Sequence, residues 1–276
     1  GLKYLNLSGF GQTSYRKNAE KNQIQFYNRI VLIESCAFLQ KLSLSKLELS
    51  LKLISFTSLQ NGKTLEVLDL SNCTFFESRF LEDSRISELD FIQQIVENCT
   101  KLKELSLSMT MLCKKSVDFL VSNLTLKIEK LDLFNMHCLT DNHVKKLVTR
   151  CNKITELNLG GNNSITKQSL SFIIENLKLT LVKLSFESTL LRFNLNDLLQ
   201  LKGMENLKLL YYDMDEYRNV HRHYIDWRRL RQQLPNIQIN AKTGNRIIAI
   251  PSQPGYKRQE IWEIKAEQEE MFMTYL

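Results

Sequence analysis

The sequence predicts an α/β fold, a leucine-rich-repeat solenoid (horseshoe) of about nine 26-residue strand–helix units with a C-terminal tail packed on the array. Three observations predict it. A hexapeptide of the form L-x-x-L-x-L recurs along the chain, its copies follow one another at a nearly constant interval, and within each interval the apolar spacing changes from alternate residues to helical steps.

The copies are LKYLNL at 2, LQKLSL at 39, LEVLDL at 65, LKELSL at 102, IEKLDL at 128, ITELNL at 154, LVKLSF at 181 and LKLLYY at 207, with a degenerate ninth, LPNIQI, at 234. The intervals between them are 37, 26, 37, 26, 26, 27, 26 and 27 residues. In a strand, alternate side chains share a face, so Leu157 and Leu159 point inward while Glu156 and Asn158 point outward. The segments that follow are helical. Val144, Leu147, Val148 and Cys151 line one apolar stripe, and Leu170, Ile173, Ile174 and Leu177 the next. One unit cannot cover its own apolar face, so stability accumulates over neighbouring interfaces.

The two long intervals each carry 11 extra residues, placed after the strands in 9–22 and 75–90, where Phe75 and Phe76 lie. Insertions in such arrays map to loops on one face. The eighth unit closes with a helix through YRNVHRHYIDWRRLRQQL. Its Val220, Tyr224, Trp227, Leu230 and Leu234 recur at helical spacing, leaving His221, His223 and Arg229 on the solvated side.

Six cysteines, Cys36, Cys73, Cys99, Cys113, Cys138 and Cys151, form no CxxC pair. Cys36, Cys99 and Cys151 each precede a hexapeptide by three residues, and Cys73 takes the slot that Asn162 takes in a later copy. These are slots for small buried side chains, spread along the array instead of gathered around a metal, so no metal or cofactor site is expected. The thiols point to a reducing, intracellular setting. The chain carries no apolar run long enough to cross a membrane, no leader, and none of the GxGxxG, P-loop, HExxH or GxSxG motifs, so no catalytic residue is expected. It begins at Gly1 without Met, which reads as a fragment of something longer.

The formal net charge is +7. A polyanion surface would interleave basic and aromatic residues, but Tyr224 and Trp227 are assigned to the core, so neither nucleic acid nor membrane is an expected partner. The array instead offers a rigid curved sheet with outward positions of both charge signs. Among them are Lys3, Tyr4 and Asn6, then Lys41 and Ser43, Glu66, Val67 and Asp69, Lys103, Glu104 and Ser106, Lys130 and Asp132, Glu156 and Asn158, Lys183 and Ser185. Such surfaces bind proteins. The tail after Asn240 holds Ile247, Ile248, Ile250, Ile261, Trp262 and Ile264, too apolar to stay solvated, and is expected to dock on the repeats. The organisation expected is therefore repeats over 1–239 and a docking tail over 240–276.

The cysteine-containing 26-residue copies ENCTKLKELSLS and TRCNKITELNLGGNNSIT resemble the F-box/leucine-rich-repeat proteins, substrate-receiving subunits of SCF (cullin-RING) ubiquitin ligases. LPNIQIN followed by QEIWEIK, residues 259–265, is similar to the carboxy-terminal end of one branch of that family. The resemblance implies a non-catalytic receptor, in nucleus and cytoplasm, that presents a protein substrate, phosphorylated in some family members, for ubiquitination and degradation. It also implies a tail that runs back along the concave side, placing Tyr256, Gln259, Glu260 and Trp262 at the partner surface together with Glu104, Lys130, Glu156 and Lys183. A small Cks-type accessory protein would meet Met109, His137, Gly161 and Ser188, where the family carries an aromatic and charged side chains and this chain keeps only His137 as a chargeable group. The SCF adaptor and cullin would be reached through an F-box, which nothing in residues 1–276 resembles. The alternative is an intracellular repeat scaffold or inhibitor that binds a protein without ubiquitin transfer.

Overall fold

Each hexapeptide becomes a short strand because its second and third apolar residues, two apart, bury on one side while the polar residue between them faces away. The computed structural model describes residues 1–9, 36, 38–50, 60–76, 87–187, 194–213, 227–243, 246–250 and 263–264. The chain divides into two units, Gly1–Ile128 and Glu129–Leu276.

The first unit holds strands β1 (Tyr4–Asn6), β2 (Lys41–Ser43), β3 (Glu48–Ser50), β4 (Val67–Asp69), β5 (Thr74–Phe76) and β6 (Glu104–Ser106). β1, β2, β4 and β6 lie side by side and parallel, with Leu5, Leu42, Leu68 and Leu105 in one row. β3 and β5 form a separate parallel ladder, pairing Leu49 with Phe75. Helices α1 (Glu88–Asn98) and α2 (Lys114–Asn123) pack side by side. The second insertion is thus shorter than its interval implies. Phe75 and Phe76 are strand residues, the Phe75 ring lies 5.2 Å from that of Phe91, and Glu88 already begins α1. The remainder of that insertion, and most of the first, lie outside the described residues.

The second unit holds β7 (Lys130–Asp132), β8 (Glu156–Asn158), β9 (Lys183–Phe186), β10 (Leu209–Asp213) and β11 (Gln238–Thr243), all parallel, with Leu131, Leu157, Leu184, Leu210 and Ile239 in one row. Its helices are α3 (Asp141–Arg150), α4 (Lys167–Leu177), α5 (Leu195–Leu199) and α6 (Trp227–Gln233). In the tail, β12 (Arg246–Ile250) turns back antiparallel on β11, and β13 (Glu263–Ile264) pairs antiparallel with β12. The described part of the tail therefore covers the last parallel edge, which would otherwise present unpaired backbone groups.

The core is the apolar row of the motif. Leu65, Leu68 and Leu70, Leu102, Leu105 and Leu107, and Ile154, Leu157 and Leu159 are all buried, each stabilising by about 1.5–3 kcal/mol relative to exposure. The first copy differs. Leu2 is 49% exposed and Leu5 and Leu7 are half-buried, because β1 has a strand neighbour among the described residues on one side only. In α3 the predicted stripe is buried throughout, whereas in α4 Ile174 is half-buried, at the margin of the stripe formed by Leu170, Ile173 and Leu177. In α6, Leu230 and Leu234 are buried and Arg229 is exposed, while His221 and His223 lie outside the described residues.

Helix starts repeat as regularly as strands. Ser87, Thr140, Thr166 and Asn194 accept first-turn backbone hydrogen bonds, in α1, α3 and α5 as a capping box closed by Asp90, His143 and Asp197. The carboxylate at a helix start also ties the next helix in. Asp141 accepts from Thr166 N at 2.8 Å and Thr166 Oγ1 at 2.7 Å, and Glu88 accepts from Cys113 N at 2.8 Å.

Candidate functional site

The cysteines come first, since they decide whether the site is chemical. Cys99 and Cys151 end α1 and α3, their N–H groups donating to Ile95 and Leu147 and their side chains buried. Cys73 donates its thiol to the Leu44 carbonyl one repeat earlier, at 3.0 Å. Burial pushes the Cys73 and Cys99 thiols up to about 12 and that of Cys151 to about 11, so all three stay protonated near neutrality. Among the described residues no three His, Cys, Asp or Glu side chains gather as a metal site would need.

What the fold exposes is the polar side of its strands, and it does so in two unlike rows. The outer row stays at the surface. In the second unit it runs through Lys130, Glu156 and Lys183, on three adjacent strands in register. Glu156 stands between the two lysines, with Lys183 Nζ 3.0 Å from Oε2 and Lys130 Nζ 3.7 Å from Oε1, all three side chains a quarter to a third exposed. In the first unit, Lys103 donates to Glu66 at 2.8 Å, and that bond, aided by the charges of Lys103, Lys101 and Lys41, holds the Glu66 carboxyl below its usual range. Glu104 is half-buried on β6.

The inner row corrects the sequence expectation. Asp69, Ser106, Asp132 and Ser185 are buried, although alternation places them outward, and in the outer row Val67 is the exception, only 9% exposed. Their side chains fold over the strand end. Asp69 accepts from Ser71 N, Asp132 from Phe134 N, Asn158 from Gly160 N and Ser185 from Glu187 N, each two residues on. Local bonds of this kind are the habit of Asp, Asn and Ser. Asp69 also accepts from Ser43 Oγ at 2.7 Å, which lies 2.6 Å from Ser8 Oγ. Further along, Tyr211 is half-buried, and burial pushes its phenol up against the pull of a hydrogen bond with Asn240.

Beyond β1, β2, β4, β6, β7 and β8 the chain makes a turn whose second residue is left-handed. Gly9, Lys46, Asn72, Met109, Asn135 and Gly161 all have φ between 56° and 69°. Their N–H groups stack the turns, Lys46 donating to Ser71 O, Asn72 to Ser108 O, Asn135 to Gly160 O and Gly161 to Glu187 O. Met109 and Gly161 therefore occupy equivalent positions, Met109 43% exposed and Gly161 buried against Asn135. His137 is not their equivalent. It is exposed two residues beyond Asn135, which holds the matching position and which sequence reasoning missed. The signal was present, since Asn135, like Met109 and Gly161, follows its second strand leucine by two residues. Ser188, Tyr256, Gln259, Glu260 and Trp262 lie outside the described residues. Of the expected partner residues the fold thus brings together Lys130, Glu156 and Lys183 as one ladder.

A family model described as the SKP2 LRR domain matches residues 20–269. The chain belongs to the SKP2 LRR domain family. The branch that the tail resembles, that of the S-phase kinase-associated F-box protein, agrees with this family at the level of the repeats. No curated protein matches the chain. Among solved structures, a chain of the yeast Rad7 and Elc1 complex shares the fold at 15% identity with a TM-score of 0.51, over 87% of this SKP2-type chain. The match spans 57% of that chain's length.

Proposed function

We propose that this chain is the substrate-recognition subunit of an SCF-type E3 ubiquitin ligase, holding a protein substrate or a substrate–accessory complex on its strand faces and tail. It performs no bond chemistry itself. Ubiquitin transfer belongs to partner enzymes, reached in the full-length protein through an F-box, and the complex works in nucleus and cytoplasm.

The observation that carries the reading is the Lys130–Glu156–Lys183 ladder. Three charged side chains are held in register along one strand row, in a chain of the SKP2 LRR domain family. A rigid charged ladder fixes the register of a protein partner more than it adds raw affinity. Membership in the family supports the ligase part of the proposal.

The test is affinity capture of the full-length protein with identification of what accompanies it. The expected result is an adaptor, a cullin and at least one further protein, the last lost when Lys130→Glu and Lys183→Glu are combined. Capture without adaptor or cullin overturns the ligase reading and leaves a free-standing repeat scaffold.

A further inference from the structure

We propose that the strand face of the first unit is a docking surface for an acidic peptide segment, a reading that rests on the strand faces being the partner surface and names the chemistry they take there. The surface is built at the N-terminal ends of β1, β2, β4 and β6. Lys3, Lys41, Lys101 and Lys103 are all exposed there. Among the described residues the carboxylates beside them are few and already engaged. Glu66 is paired with Lys103 at 2.8 Å, Glu104 is half-buried, and Asp69 is buried beneath bonds from Ser43 and the Ser71 N–H.

Lys103 pairs with the Glu66 carboxylate, and Lys101 and Lys41 also act on it, so their fields overlap on one patch. Their positive charge is left facing water. Next to them the Tyr4 ring is 59% exposed, with Lys41 Nζ 5.4 Å from its centroid. A cation over an aromatic face is oriented at little cost, and the ring offers the apolar contact that a peptide, unlike bulk counter-ions, can use.

Two features favour a peptide over a nucleic acid. Lys41 and the lysines of the neighbouring row, Lys3 and Lys103, are spread over β1, β2 and β6, so a chain laid across the strands passes all of them. Tyr4 is the single aromatic residue in the outer row formed by Tyr4, Lys41, Val67 and Glu104, too few for successive bases to stack upon.

The test uses the whole chain and three labelled probes: a Glu-Ser repeat peptide, its Gln-Ser counterpart, and a single-stranded DNA of equal charge, followed by fluorescence anisotropy. The Glu-Ser peptide should bind, and more weakly as salt rises. Combining Lys41→Glu with Lys101→Glu should weaken it about tenfold or more, while Lys145→Glu with Lys146→Glu on α3 should change it less than about twofold. Equal binding of the two peptides, tighter binding of the DNA, or an equal loss from the α3 substitutions each overturns the proposal. Circular dichroism checks that each variant folds. The partner captured through Lys130 and Lys183 reports on the receptor reading by itself, so loss of the acidic-peptide result leaves that reading standing.

Discussion

Asn162 donates its side-chain amide to the main-chain carbonyl of Leu133, one repeat earlier, at 2.9 Å. The same Nδ2 serves Leu159 O and Gly160 O, so one buried side chain ties its own turn to the preceding strand. Replacing Asn162 with Leu leaves three carbonyls without that donor in a dry site, and should destabilise the chain by about 2–3 kcal/mol. Urea unfolding measures it. A loss below about 0.5 kcal/mol means the carbonyls find other donors.

The left-handed turns predict opposite effects at equivalent positions. Met109 holds φ 57° with a side chain that disfavours it, whereas Asn72 and Asn135 show that Asn accepts the geometry. Met109→Asn should therefore stabilise by about 0.5–1 kcal/mol. Gly161→Ala should destabilise by about 1–2 kcal/mol, since φ is +69° and the new Cβ would meet Asn135 at 3.0 Å. Thermal unfolding of the two single variants decides both.

Cys113 stands at the start of α2, where the starts of α1, α3, α4 and α5 carry Ser87, Thr140, Thr166 and Asn194, and it makes no side-chain cap bond. Cys113→Ser should recover that bond and raise stability by about 1 kcal/mol, seen as a higher denaturant midpoint at unchanged slope. No shift of the midpoint would mean that Glu88, which already takes the Cys113 N–H, fixes the turn unaided.

Thiol chemistry tests the burial of the recurrent cysteines. At pH 8, Ellman's reagent should label the exposed Cys113 in seconds and spare Cys73, Cys99 and Cys151 until the chain unfolds. Linkage gives the accompanying sign. A thiol held at about 11 to 12 in the fold keeps its proton, while the unfolded thiol loses it near 9, so stability falls as pH rises above about 9. Replacing Cys99 and Cys151 by Ala should flatten that alkaline slope, which unfolding curves between pH 8 and 10 would show.

The repeats were legible because leucine spacing is a long-range signal. One register slip would bring Leu157 and Leu159 to the surface, and no local propensity competes with that cost. The buried inner row was not legible. Alternation says which way Asp69, Asp132 and Ser185 point as they leave the strand, but not that each then bonds two residues onward and is covered. The β3–β5 ladder escaped notice because Glu48–Ser50 and Thr74–Phe76 are short and lie outside the hexapeptide. At the site, Glu156 and its lysines followed directly from strand register, whereas His137 was misplaced by two residues, since Asn135 and not His137 keeps the two-residue distance from the strand leucine that Met109 and Gly161 keep.

The stacked left-handed turns also set what lengths of chain this protein tolerates. From strand to turn the backbone is phased against its counterpart one repeat away, through Lys46 to Ser71 and Asn72 to Ser108, so deleting a single residue there would throw the contacts that follow out of step. Past the turn the register is held again where β3 pairs with β5 and where Glu88 and Asp141 take bonds from Cys113 and Thr166, and between such ties the intervals stretch from 26 to 37 residues. New loops grafted into this molecule belong between those ties, as between β5 and α1, where added length leaves the reading frame of the architecture intact.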